Sequence, residues 1–475
     1  MERSRIGALV ERHRFPILCG LVLIAAATRA ALVFNSPRTY GYVWDFYHEG
    51  VIWAYEHGRL PSPKDCWECY QPPLVFACGV PFYALGLAAL KGGAAGGLRL
   101  LSLLPMICAG FVIHFCRRTL LLFRLSHGHI LLGTALALVF PCLFISSYGL
   151  ENDIVLAALM SAFFYRLCLY HLRPGGASWR DPVLMGILAG LSALTKYPGL
   201  LTLITAGIVM SPRLIIGSRR RRTARDLLII AAVAAATCGW HYVQNMRLYR
   251  APLLAAPGYS SGIEPENVAR FRTQYDLLSF QVRKVVDLYR PENPGALTDF
   301  PVYRSVLSTL HALAWSDMSF YSVASRHGWR IPARYGEEEK ILLVAQTPAS
   351  EPRVPPYPAK SVRPWLVELV LRLGVFPTLL ALIGLAATFR RSAAWPLLAY
   401  TCASLAVYAW WFLGQPAWAL KTKYILFLLP AYIAYVVMGL KGVYRLDRRL
   451  GHAAAVCLIA AILACEAYLC MFALG

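Results

Sequence analysis

Charge is scarce in this chain. Asp, Glu, Lys and Arg make up 15% of the 475 residues, against about 25% in an ordinary soluble domain. Carboxylates are scarcer still, 25 against 47 Lys and Arg, which leaves a formal net charge of +22. No Gly-x-x-x-x-Gly-Lys-Ser/Thr loop is present to cradle a nucleotide phosphate. No long repeat and no low-complexity tract occurs. These shortages exclude a disordered, fibrous or disulfide-scaffold protein and a single soluble globule. What is abundant is apolar surface. Hydrophobic residues reach 58% and mean hydropathy is +0.51, as in a polytopic membrane protein.

Most of the 13 cysteines lie in or beside apolar runs, such as Cys19, Cys108, Cys142, Cys238 and Cys465, where Cys acts as a small apolar side chain. Cys66 and Cys69 alone sit in a polar stretch, as Cys66-Trp-Glu-Cys69. One such pair is a weak metal signal; a local disulfide or two free thiols is the better reading.

A membrane helix needs about 20 mostly apolar residues. Spans are predicted over 15–34, 98–116, 130–148, 153–170, 183–197, 198–212, 227–245, 364–388, 393–413, 424–440 and 452–473. A twelfth stretch, 73–90, starts at Pro72-Pro73 and is interrupted by Pro81. The positive-inside rule decides its status. If 73–90 does not cross and the N-terminus is cytoplasmic, every basic cluster falls inside. Those clusters are Arg3 to Arg14, Arg117 to Arg124, Arg173 and Arg180, Arg213 to Arg225, Arg390 and Arg391, and Lys441 to Arg449. If 73–90 crosses, the run Arg219 to Arg222 lands outside. The expected architecture is therefore all-α, with about 11 transmembrane helices and a juxtamembrane helix over 73–90. The run Arg219 to Arg222 reads as a topology anchor among anionic headgroups rather than a nucleic-acid patch. Three blocks follow. Residues 1–245 hold a transmembrane module with the outer loop 35–72, 246–363 form a small extracytoplasmic cap, and 364–475 hold the last helices. Within the cap, 303–320 is apolar enough to lie along the interface as a helix. Gly186 and Gly190 make a GxxxG spacing suited to close helix packing.

The outward face carries the chemistry. The first outer loop holds Asp45, His48, Glu49, Glu56, Arg59, Asp65 and Glu68 among six Trp and Tyr rings. Rings mixed with carboxylates suit a site that stacks a sugar and removes a proton, while interfacial aromatic belts account for some of the rings. The second outer loop ends in Glu151-Asn152-Asp153 at a span mouth, where a carboxylate faces protein or a cavity. Later span mouths bring isolated cations: Lys196-Tyr197-Pro198, Asn245 with Arg247, and Lys421-Thr422-Lys423-Tyr424. Carboxylates fit a general base, and cations fit a membrane-embedded phosphate or snorkelling anchors.

In order along the chain, several elements resemble the C-type membrane glycosyltransferases. They are Asp45 with Gly58, Leu60-Pro61, Gln71-Pro72-Pro73-Leu74, Asn152-Asp153, Gly186 through Lys196, Trp240 through Pro252, and Lys423-Tyr424 through Pro430. The nearest members in pattern are the polyprenyl-phosphate-sugar-dependent enzymes related to protein O-mannosyltransferases and the lipid A aminoarabinose transferase. This chain departs from the pattern at three points. Phe46 follows Asp45 where many members have a second carboxylate, so Glu49 is the substitute. Lys423 stands for an Arg, and Gln244 stands for another, with Arg247 nearby. The resemblance implies sugar transfer from a polyprenyl-phosphate donor to a glycan, lipid or protein acceptor, inverting, at the outer face. Asp45 is then the base, with Glu49 and Asp153 as further catalytic carboxylates. Lys196, Arg247, Lys421, Lys423, Tyr424, His48, Arg59 and Asn245 bind substrate. Relatives differ in metal use, and nothing in this sequence decides whether a divalent cation takes part. A bacterial inner membrane, with the site facing the periplasm or the cell exterior, is the expected location, and nucleic acid is not an expected partner. A flippase or transporter would need internally related halves, which the sequence lacks, and a non-catalytic receptor would tolerate changes at the outer carboxylates.

Overall fold

The computed structural model describes residues 16, 19–31, 47–90, 93–147, 149–173, 178–215, 220–254, 280, 306–315, 364–389, 391–413 and 422–474. Asp45, Lys421 and most of the expected cap over 246–363 lie outside the described residues. Among the described residues all regular structure is helical. Seven helices are long and apolar enough to cross a membrane, and three shorter apolar helices accompany them. The protein is an integral membrane protein.

The chain begins with α1 (Cys19–Ala31). Then come α2 (Tyr47–His57), a 3₁₀ turn over Trp67–Tyr70, and α3 (Leu74–Ala89). Cys66 caps that turn, Cys69 lies within it, and the two form a disulfide, one of the two readings of the motif. Within the stretch 73–90, Leu74–Ala89 is a 16-residue apolar helix, and Pro81 is accommodated within it.

Two expected spans are each broken in two. The apolar run around 98–116 forms α4 (Ala94–Leu101) and α5 (Leu103–Leu122). The run over 130–148 forms α6 (His127–Leu138) and α7 (Pro141–Ser146). The second break has a local cause. Pro141 has no N–H to extend α6 but suits the first turn of a new helix.

Next are α8 (Asn152–Leu172), α9 (Arg180–Thr195), α10 (Leu201–Ile215) and α11 (Arg220–Tyr249). Pro198 again supplies the punctuation. It cannot donate to the carbonyl of Leu194, so α9 stops and Lys196 is thrown into extended backbone (φ −160°, ψ 148°) before the 3₁₀ turn Tyr197–Leu200. The GxxxG pair serves packing: a Cβ on Gly186 would stand 2.7 Å from Val233, and one on Gly190 2.5 Å from Thr237, both on α11.

The last elements are α12 (Val306–Trp315), α13 (Pro364–Thr388), α14 (Trp395–Leu413), a 3₁₀ segment Thr422–Leu428, α15 (Leu429–Leu446) and α16 (Arg448–Leu474). The stretch expected to lie along the interface does form a helix, α12, but it docks on the bundle. Trp315 is buried against Gly374 of α13, and a ring nitrogen of His311 lies 2.8 Å from the Leu371 carbonyl. α8 and the Thr422–Leu446 segment are the most enclosed of the long helices.

The two ends of α8 differ in chemistry. At its C-terminal end, buried Asp226 of α11 accepts Tyr170 Oη at 2.9 Å and pairs with Arg225 at 2.8 Å, while Asp181 of α9 pairs with Arg173 at 3.4 Å and Arg166 at 3.6 Å. At its N-terminal end lie Glu151, Asn152 and Asp153. Eighteen residues at 1.5 Å each put about 27 Å between Asp153 and His171. The arginine-rich pole and the carboxylate–lysine pole thus stand on opposite sides of a bilayer-thick bundle.

Candidate active site

Four elements meet at the second pole. The N-terminus of α8 brings Glu151, Asn152 and Asp153. The break after α9 brings Lys196, and the 3₁₀ segment ahead of α15 brings Lys423 and Tyr424. The first outer loop reaches the same place through Tyr70.

Lys196 Nζ lies 2.7 Å from Asp153 Oδ1, with side-chain exposures of 15% and 3%. Lys423 Nζ lies 3.0 Å from Glu151 Oε1, with exposures of 7% and 0%. Tyr424 stands between the two cations: its ring centroid is 4.3 Å from Lys196 Nζ and 5.9 Å from Lys423 Nζ. Two lysines and two carboxylates therefore form a charge-balanced, nearly dry cluster joined through one aromatic face. Water screens such charges poorly, so each interaction is stronger than at the surface. Asn152 is fully buried between the two carboxylates in sequence, and neither its Oδ1 nor its Nδ2 has a hydrogen-bond partner among the described residues.

The supports of Lys196 are specific. Its carbonyl accepts the Gly199 N–H at 2.8 Å, and Thr202 Oγ1 donates to the Gly199 carbonyl at 2.7 Å. Tyr197 Oη donates to the Tyr70 carbonyl at 3.1 Å and accepts the Leu254 N–H at 2.9 Å. Tyr242 Oη donates to the Ala193 carbonyl at 2.9 Å. The first loop, the α9 break and the outer end of α11 are thereby tied together. On the other side, Thr422 Oγ1 donates to the Leu310 carbonyl of α12 at 2.8 Å.

Of the residues singled out from sequence, Asp153, Lys196, Lys423 and Tyr424 come together. His48 and Glu49 lie on α2, with burial pushing the His48 imidazole down to about 4 and the Glu49 carboxyl up to about 7. Arg59 is exposed and sits 5.2 Å over the Trp53 ring. Asn245 is buried, its amide 3.3 Å from the Pro252 carbonyl, whereas Arg247 is exposed on the last turn of α11. Neither Arg59 nor Arg247 touches the lysine–carboxylate cluster in any described contact. Among the described residues no three His, Cys, Asp or Glu side chains converge on a metal-sized space. Asp153 and Glu151 each face a lysine.

Sequence reading passed over two partners. Glu151 stood beside Asp153 without a role, although a carboxylate at a span mouth was the available signal. Arg29 of α1 went unremarked inside an apolar run. It is buried, donates to Ser147 Oγ at 3.2 Å and the Leu138 carbonyl at 3.0 Å, and lies 4.8 Å from the centroid of the Phe144 ring. It holds the end of α7 four residues ahead of Glu151. A charged residue inside a membrane run is itself a signal.

No known family profile matches the chain, and no characterised protein matches it by sequence. Solved structures do. The Archaeoglobus fulgidus oligosaccharyltransferase in complex with zinc and sulfate superposes with a TM-score of 0.51 at 15% identity, over 96% of this chain and 53% of that one. The archaeal oligosaccharyltransferase AglB from the same organism, bound to an inhibitory peptide and a dolichol-phosphate, gives 0.52 at 14%, over 97% and 56%. The chain shares its fold with these two structures. ArnT from Cupriavidus metallidurans, bound to undecaprenyl phosphate, also matches, with a TM-score of 0.36 at 15% identity over 93% of this chain and 77% of that one. The chain spans just over half the length of the archaeal oligosaccharyltransferases it matches.

Proposed function

We propose that the chain is a glycosyltransferase that moves a sugar from a polyprenyl-phosphate-linked donor to an acceptor on the extracytoplasmic face, with inversion. The observation that carries this reading is the convergence of Lys196 and Lys423 on Tyr424, each backed by a buried carboxylate. Two primary ammonium groups in a dry pocket at the membrane boundary suit a lipid-linked phosphate. The fold, shared with proteins whose solved complexes hold dolichol-phosphate, adds support.

In this reading Asp45 takes the proton from the acceptor hydroxyl. The hydroxyl oxygen bonds to the anomeric carbon on the side opposite the phosphate. The carbon–oxygen bond to the phosphate breaks, and its electron pair leaves with the polyprenyl phosphate. Lys196 and Lys423 turn from Asp153 and Glu151 toward the phosphate oxygens and stabilise the charge that gathers there. Asp153 then orients the acceptor, and the uncommitted Asn152 amide offers a donor and an acceptor to a sugar hydroxyl. Glu49, its carboxyl pushed up by burial to about 7, supplies the second carboxyl of the first loop. In this reading Lys421, Arg247, Arg59, His48 and Asn245 also bind substrate. The wider arrangement is eleven crossings, a juxtamembrane helix over 73–90 and a cap over 246–363, in a bacterial inner membrane with the site toward the periplasm.

Asp45→Asn tests the base directly. Incubated with labelled polyprenyl-phosphate sugar and membrane acceptors, the purified variant is expected to keep its melting temperature and lose transfer by 100-fold or more, on the order of what general bases contribute. Transfer at an unimpaired rate would remove Asp45 from the mechanism. Lys196→Ala is expected to raise the KM for donor more than that for acceptor.

A further inference from the structure

A second site lies at the opposite pole, between α10 and α11. There an apolar groove of about 470 Å³ opens to the outside of the bundle. One wall is Ala224, Leu227, Leu228 and Ala231 of α11, spaced i, i+3, i+4 and i+7, so they form one stripe down the helix. The other includes Leu203 and Leu214 of α10. Along α11 the stripe runs about 10 Å at 1.5 Å per residue. The groove faces away from the core: α11 is the least enclosed of the long helices, and Leu228 is 71% exposed.

Extended one turn toward its N-terminus, the same stripe reaches Arg220 and Arg221. The charge there is unbalanced. Arg213, Arg220, Arg221, Arg222 and Arg225 stand near the mouth. The neighbouring carboxylate, Asp226, already receives Arg225 at 2.8 Å, Arg222 at 3.8 Å and Tyr170 Oη at 2.9 Å. Arg213 is spent on the His171 carbonyl at 2.6 Å and Arg220 on the Ile215 carbonyl. Arg221 is exposed and forms no described contact. α11 has 30 residues, about 45 Å of helix, against a hydrocarbon core of about 30 Å. Its first turn, with Arg220 to Arg222, therefore reaches the headgroup layer, with the groove just beneath.

The geometry points to a specific seat for one anionic glycerophospholipid of the cytoplasmic leaflet, its phosphate on Arg221 and the outer edge of Arg225, and an acyl chain in the α10–α11 groove. Charge complementarity selects the occupant. A zwitterionic lipid fills the groove equally well but leaves the surplus arginine charge unanswered, and basic pockets between helices on this side of a membrane favour anionic headgroups. The seat is independent of the chemistry proposed at the other pole.

Native mass spectrometry of the full chain in detergent, titrated with phosphatidylglycerol or phosphatidylcholine of identical acyl chains, tests the seat. The wild type is expected to retain one phosphatidylglycerol in preference to phosphatidylcholine. Arg221→Gln should weaken phosphatidylglycerol about five-fold, the worth of one basic residue near a headgroup, and leave phosphatidylcholine unchanged. Ala231→Phe, which fills the groove, should weaken both lipids; Ala224→Phe on the same stripe serves as a second filling variant. Equal retention of the two lipids, or no response to Arg221→Gln, overturns the proposal. So does loss of the preference in millimolar inorganic phosphate, which would make the arginines a soluble-anion site. A dimer dissociated by Ala231→Phe would show the groove to be a protein interface and overturn it as well.

Discussion

Lys423 and Glu151 show what a membrane-boundary ion pair costs and provides. Their exposures of 7% and 0% mean that both charges have left water. Removing one partner strands the other, which typically costs about 3–5 kcal/mol, whereas replacing both with neutral groups of similar shape costs far less. Lys423→Met is therefore expected to destabilise the protein by about 3 kcal/mol, and the double variant Lys423→Met with Glu151→Gln to recover most of it. Thermal melts of the four members of this cycle check the coupling. Transfer activity should be lost in both, because the recovered stability brings back no cation for a phosphate.

Glu49 belongs to the same scale. Burial lifts its carboxyl from the ordinary 4.5 to about 7. Between those two values the folded protein holds a proton that the unfolded chain has released. The native state is thus favoured by this group fully below pH 4.5, and the advantage is lost as pH rises through 7. His48 acts in the other sense: its depressed folded pKa contributes stability above 6.5 that is lost as pH falls toward 4. Glu49→Gln keeps the shape and removes the ionisation. Melts from pH 4 to 8 should show the variant gaining on the wild type as pH rises, by up to about 3 kcal/mol at pH 8. The difference between the two curves isolates Glu49 from His48.

Among the elements, helix breaks do the positioning. Pro198 ends α9 and presents Lys196. Pro141 separates α6 from α7, and α7 leads toward Glu151. Pro430 lies in the first turn of α15, directly after the 3₁₀ segment that carries Lys423 and Tyr424. Small residues then bring the intact helices close enough for these breaks to meet. Gly439 of α15 packs on the Leu380 carbonyl of α13, and Gly384 on the Tyr435 carbonyl, so a Cβ at either would collide with backbone that cannot turn aside. Gly439→Ala is expected to lower the melting temperature by several degrees. It should also reduce transfer more than stability alone accounts for, since α15 follows directly on Lys423. A milder Gly442→Ala change, where an added Cβ meets Ile383 only at 3.8 Å, is the control.

At the scale of the molecule, charge asymmetry orients the bundle. Arg166, Arg173, Arg213, Arg222 and Arg225 gather around Asp181, Asp226 and the His171 carbonyl at one end of α8, and Asp153 and Lys196 meet at the other. By the positive-inside rule the arginine pole is expected to face the cytoplasm. In a cysteine-free background, Lys64→Cys should react with an impermeant maleimide on intact cells, and Arg445→Cys only after permeabilisation. The reverse pattern would invert the orientation and place the lysine–carboxylate cluster on the cytoplasmic side.

Apolar runs and basic clusters are properties of consecutive residues, so the amino-acid sequence by itself determined that the chain is helical, lies in a membrane and carries its arginines at one pole. The order of short elements from Asp45 to Pro430 also pointed to the fold that the archaeal oligosaccharyltransferases share. Only tertiary structure decided which charges meet. Lys423 and Glu151 are separated by 271 intervening residues, and Lys196 and Asp153 by 42; no periodicity links either pair. Asp153, Lys196, Lys423 and Tyr424 were legible as candidates because polar residues at span mouths are rare. Their pairing was not, nor was the role of Glu151 or Arg29. Packing chooses the partners of a buried charge, because a charge withdrawn from water must find its opposite in whatever helix lies alongside.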